Sequence, residues 1–106
     1  MLSPTDRSIA QEFRRRVAAV VPVRQVWVFG SRARGDAEQD ADLDVFVEVE
    51  DVSPEQRQRI SDLAWEVGFA RDLVISTIVS TRAQLEEGLM GASPLVVNVR
   101  REGVQV

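Results

Sequence analysis

Val26-Trp27-Val28-Phe29-Gly30-Ser31-Arg32-Ala33-Arg34-Gly35-Asp36-Ala37-Glu38-Gln39-Asp40-Ala41-Asp42-Leu43-Asp44-Val45-Phe46-Val47-Glu48-Val49 is the stretch around which the chain is organised. An apolar run ends abruptly at Gly30-Ser31, a polar turn bearing two arginines follows, and a second apolar run opens with Asp42 and Asp44. The pattern reads as strand, tight turn, strand. Residues i and i+2 of a strand share a face, so Asp42 and Asp44 are able to share one cation. Arginines and turn amides attract phosphate, and paired carboxylates attract Mg²⁺. Together they describe a place for a Mg²⁺-bound nucleoside triphosphate.

Within the turn, Gly30 permits a positive φ or a close approach. Ser31 is expected to cap a short helix over Arg32-Ala33-Arg34, offering its hydroxyl and the exposed amides to phosphate, with Gly35 closing the turn. Two rival motifs fail. Gly30-x₄-Gly35 has the glycine spacing of a Walker A loop, but Asp36-Ala37 stands where Lys-Ser/Thr is required. Asp40-x-Asp42-x-Asp44 mimics the start of an EF-hand, yet Val45 occupies the obligatory glycine position and Asp51 the place of the closing glutamate. An ordinary hairpin with a long polar loop explains each element singly, since Gly-Ser is a common turn dipeptide. It does not explain the conjunction of strand, Gly-Ser, fixed spacing and strand-borne Asp-x-Asp.

Working outward, the first strand is expected over about Gln25 to Phe29, apolar on both faces and therefore covered on both sides. The second runs from Leu43 to Val49, with Asp42, Asp44, Phe46 and Glu48 on one face. Glu48 lies ~13 Å beyond Asp44 and is too far along to ligate the same metal. Upstream, Ser3-Pro4-Thr5-Asp6 reads as a helix start, with Ser3 as cap and Asp6 against the positive helix end. Ile9, Phe13, Val17 and Val20 form its apolar stripe, and Arg14-Arg15-Arg16 reads as a solvated face. Downstream, Ser53-Pro54 opens a helix to about Val67, with Gly68 as its stop. A third strand over Leu73 to Ser80 follows. Thr81-x-x-Gln84 starts a short helix to about Met90. Ser93-Pro94 caps a last helix through Arg101, and Val104-Gln105-Val106 closes as a short strand. The expected fold is α/β (α+β): one domain over residues 1–106, a small mixed β-sheet flanked by helices.

Composition narrows the chemistry. The chain has no Cys and no His, and its 13 basic residues are all Arg. A Ser-His-Asp triad, a cysteine nucleophile, a His/Cys zinc site and a Schiff-base lysine are excluded within it. Carboxylates, arginines, hydroxyls and backbone amides remain, and these suit metal-assisted phosphoryl or nucleotidyl transfer. A net charge of −4 argues against a broad nucleic-acid surface. With no signal-peptide pattern and no run of the ~20 apolar residues that span a bilayer, a soluble cytoplasmic protein is expected.

Gly30-Ser31, ten residues, then Asp42-x-Asp44 resembles the signature of the DNA polymerase β-like nucleotidyltransferases. The form Gly-Ser-Arg-Ala-Arg-Gly-Asp-Ala…Asp-Leu-Asp is most similar to the minimal, MNT-type members. The resemblance implies transfer of NMP, AMP foremost, from a nucleoside triphosphate such as ATP to a hydroxyl. Gly30 and Ser31 would hold the β- and γ-phosphates, Arg32 or Arg34 would neutralise departing charge, and Asp42 and Asp44 would hold Mg²⁺. Active members carry a third aspartate on a neighbouring strand. Asp72 is the candidate here, whereas another register would put Ser76 or Thr77 in that place and leave no third acid. The resemblance also implies an acceptor bound at an oligomer interface or carried by a separate helical protein, such as the HEPN toxin with which MNT antitoxins are paired. A second reading is a binding module that neutralises its partner without chemistry. A third, a transferase acting on an antibiotic hydroxyl, lacks the substrate domain of such enzymes.

Overall fold

The computed structural model describes residues 1–88 and 92–106. Its elements run α1 (Pro4–Ala18), β1 (Val23–Phe29), α2 (Gly30–Arg34), β2 (Leu43–Val49), α3 (Pro54–Ala70), β3 (Ile75–Thr81), α4 (Arg82–Glu86), α5 (Pro94–Glu102) and β4 (Val104–Gln105). The strands form one mixed sheet in the order β3-β2-β1-β4, as the α/β (α+β) expectation requires. β1 pairs antiparallel with β2 and with β4, while β3 runs parallel to β2 after the α3 crossover.

The alternation of side chains along β1 and β2 divides the interior in two. Val26, Val28, Leu43, Val45, Val47 and Val49 point to one face, where Ile9, Phe13 and Val17 of α1 and Ile60, Leu63 and Val67 of α3 cover them. Phe46 points to the other face and packs with Leu85 of α4 and Val96 and Val99 of α5, with Trp27, Phe29 and Ile78 partly buried beside it. This second cluster is smaller, and Asp44 lies on its face of the sheet.

Helix starts follow their side-chain chemistry. The hydroxyls of Ser3, Ser53, Thr81 and Ser93 accept from the N3 amides of Asp6, Gln56, Gln84 and Val96. Gln56 and Gln84 answer with reciprocal capping-box bonds. α4 ends at Glu86, with Glu87 as its C-cap, short of the expected end near Met90, which itself lies outside the described residues.

Three expectations need correction. Gly68 is not a helix stop, for α3 continues through it to Ala70. A Cβ on Gly68 would stand 2.6 Å from the Leu73 carbonyl, so the glycine lets the chain leaving α3 pass close by. The reversal is made by Asp72, at φ 59, and β3 consequently begins at Ile75 rather than Leu73. Aspartate tolerates that left-handed conformation better than most residues. Finally, Arg14 is not simply solvated: it is half-buried and donates to the Val106 carbonyl at 2.9 Å.

Candidate functional site

The register of β1 against β2 pairs Phe29 with Asp44. The turn after β1 is therefore brought to the start of β2, and Gly30 comes to rest against the Asp44 side chain. Gly30 has φ 75, and a Cβ there would run into Asp44 Oδ2, with Cγ 3.3 Å away. Only a glycine gives both the left-handed conformation and the room. The helix that follows begins two residues earlier than expected, at Gly30 rather than Arg32. Phe29 is its N-cap and supplies no side-chain bond, so Ser31 is not the cap. Ser31 lies in the first turn, its carbonyl accepting from the amides of Gly35 and Asp36 at 2.9 and 3.1 Å. Among the described residues its hydroxyl has no hydrogen-bond partner.

Asp42 is exposed immediately before β2, and Asp44, partly buried, is the second residue of that strand. Burial pushes the Asp44 carboxyl above its ordinary value, and the charge of Asp42 pushes it further; Arg34 acts in the opposite sense. Two acids held this way favour a positive charge between them.

The two arginines of the turn have different fates. Arg34 is exposed, bonded to Asp36 at 3.2 Å and 3.6 Å from Glu102, and its charge reaches Asp44. Arg32 is largely buried and fully engaged. Its Nη1 donates to both carboxylate oxygens of Asp6 at 3.1 and 3.2 Å, its Nε to the Ala41 carbonyl at 2.8 Å, and its Nη2 to the Gln39 carbonyl at 3.1 Å. The phosphate role foreseen for Arg32 is thus replaced by a clamp. It ties the first turn of α1 to the loop that delivers Asp42. The sequence marks Asp6 only as an acid facing a helix dipole; no sequence signal joins it to an arginine 26 positions away.

Asp72 does not join the pair. It sits at the surface in the α3–β3 turn and lines a shallow cleft with Trp65, Phe69, Leu73 and Val74. The residue paired with Asp44 on β3 is Ser76, and Thr77 pairs with Val45, whose side chain enters the α1–α3 core. Glu48 is turned to Arg24, which donates to it at 2.7 Å. Among the described residues, no three His, Cys, Asp or Glu side chains gather where a metal ion could sit. No helix among them is long and apolar enough to cross a membrane.

The likenesses to known proteins fall on this same frame. The family model described as "Nucleotidyltransferase domain" matches residues 7–104. A provisionally assigned protein adenylyltransferase of Methanocaldococcus jannaschii is 30% identical over 74 residues, which cover 67% of this chain and 75% of the relative. Among solved structures, a provisionally assigned minimal nucleotidyltransferase superposes with a TM-score of 0.63 at 25% identity, covering 100% of this chain and 97% of the other. A chain from the complex of tri-AMPylated Shewanella oneidensis HEPN toxin with MNT antitoxin superposes with a TM-score of 0.57 at 16% identity. That match covers 94% of this chain and 70% of the other, and it speaks to the fold alone.

Proposed function

Because the chain belongs to the nucleotidyltransferase domain family, we propose that it is a single minimal domain that moves AMP from ATP to a hydroxyl on a separate helical protein of HEPN type. One observation carries the reading: the glycine turn after β1 closes directly onto Asp44, beside Asp42. An anion-binding turn and a carboxylate pair therefore share one small volume. The adenylyltransferase relative and the complex of AMPylated HEPN toxin with MNT antitoxin support AMP as the group moved and a HEPN protein as acceptor.

The donor set fits Mg²⁺. Asp42 and Asp44 offer hard oxygens, and the raised Asp44 carboxyl gains from any cation nearby. When bound, Mg²⁺ would neutralise the triphosphate and polarise its α-phosphate. The protein's own groups do the rest. Asp42 and Asp44 would hold the ion, and the first-turn amides and the Ser31 hydroxyl would meet the β- and γ-phosphates. Arg34, exposed and with its charge reaching Asp44, would balance charge as pyrophosphate leaves. Arg32 stays out of the chemistry and keeps the Asp42 loop in place. Such a site works by positioning and electrostatics, which a chain without His or Cys is able to supply.

The test is the intact mass of a candidate helical partner after incubation with Mg²⁺ and each nucleoside triphosphate in turn. A gain of one or more AMP units, absent with the Asp42→Asn/Asp44→Asn protein, is expected. That no third acid gathers with the pair among the described residues favours one other reading, an inactive module that neutralises its partner by binding. No mass gain, with a stable complex formed equally by both proteins, would decide for that module.

A further inference from the structure

The β2–β3 ladder determines which side chain stands next to Asp44. Register partners on neighbouring strands project from the same face, with their strands ~4.8 Å apart. The partner is Ser76, exposed on the open side of the sheet. Among the described residues, no third acid gathers with Asp42 and Asp44. Asp72 faces the cleft under Trp65 and Phe69, Glu48 is held by Arg24 at 2.7 Å, and Asp36 is held by Arg34 at 3.2 Å. A serine hydroxyl is neutral and one bond shorter than an aspartate carboxylate. It neither offsets a second double positive charge nor reaches as far toward an ion shared with Asp44.

We infer that Ser76 sets the metal stoichiometry of this site: Asp42 and Asp44 hold one divalent cation together with the nucleotide, and the position beside Ser76 holds no second one tightly. The inference rests on the nucleotidyltransferase reading above. It has a constructive form, because the strand register already points the side chain of residue 76 at the right place. A carboxylate introduced there would create the missing ligand. The exposure of Ser76 leaves room for it without disturbing either apolar cluster.

The experiment uses Mn²⁺ as a paramagnetic probe, counted by electron paramagnetic resonance in the presence of a saturating non-hydrolysable ATP analogue. The unmutated chain is expected to bind one Mn²⁺ per nucleotide, and Ser76→Ala the same. Ser76→Asp is expected to bind two, the second at least ~10-fold more tightly than any further Mn²⁺ on the unmutated chain, consistent with the affinity changes made by single groups around metals. Two tight ions on the unmutated chain would overturn the inference while leaving the nucleotidyltransferase reading intact. A folded Ser76→Asp chain that still binds one would do the same. Should that variant not fold, the count on the unmutated chain decides alone. Failure to bind nucleotide and Mn²⁺ at all would bring down the functional reading, and the inference with it.

Discussion

The two flanks of β2 were built by different means, and only one of them carries a complete set of site groups. On the β1 flank the partner strand arrives through a short connection, α2 and the loop after it. Antiparallel pairing of Phe29 with Asp44 follows from that connection, and Gly30, Ser31, Asp42 and Asp44 converge. On the β3 flank the partner arrives after the 17-residue helix α3, and its register is set by how that helix packs. There the acid nearest in sequence, Asp72, is spent on a turn, and a serine stands beside Asp44. A site assembled from local spacing is robust to the rest of the fold; a site that needs a distant strand depends on every residue of the crossover.

The largest effect that would break this contrast is on chemistry. Asp42→Asn or Asp44→Asn should lower nucleotide transfer by ~10³-fold, equivalent to ~4 kcal/mol of barrier, with the fold retained. Asp72→Asn should leave the rate unchanged, and a comparable loss there in single-turnover kinetics would erase the difference between the flanks. Next in size is the clamp. Arg32→Ala strands the largely buried Asp6 carboxylate and should cost about 3 kcal/mol in urea denaturation. Arg34→Ala should leave stability alone and weaken nucleotide binding about tenfold in a calorimetric titration. Equal loss of stability in the two arginine variants would remove the assignment of Arg32 as a positioning residue.

Gly30→Ala comes third. An alanine in that left-handed conformation costs ~1–2 kcal/mol before its contact with Asp44 is counted, so the melting temperature should fall by about 5–10 °C. The smallest effect is a gain. Because the folded state raises the Asp44 carboxyl, the native protein binds its proton more readily than the unfolded chain does. Stability is therefore lost as pH rises from the ordinary aspartate value, 3.8, through the raised one. Asp44→Asn should accordingly melt slightly higher than the unmutated chain at neutral pH. The advantage should vanish in acid, and it should shrink when Mg²⁺ and nucleotide are added. A lower melting temperature at neutral pH would show that the Asp44 charge stabilises the fold instead.

Most of the architecture was legible because its causes are local. Ser3, Ser53, Thr81 and Ser93 cap helices by bonds spanning three residues, and the unbroken apolar run Val26 to Phe29 marks β1 as covered on both faces. Gly30 and the Asp42-x-Asp44 pair were legible for the same reason, since a turn and a strand translate spacing directly into geometry. Three features were not. The pairing of Arg32 with Asp6 spans 26 residues, and no pattern within either segment announces it. The role of Gly68 depends on where Leu73 passes, which α3 decides. The residue beside Asp44 depends on a parallel register, in which a shift of one residue exchanges the faces of the strand. By itself the sequence determined the helices, the strand–turn–strand unit and its carboxylate pair. Tertiary structure alone decided which arginine remains exposed beside that pair and that Ser76, not Asp72, stands next to Asp44. Contacts across a long crossover are chosen by the packing of the whole core rather than by neighbours along the chain.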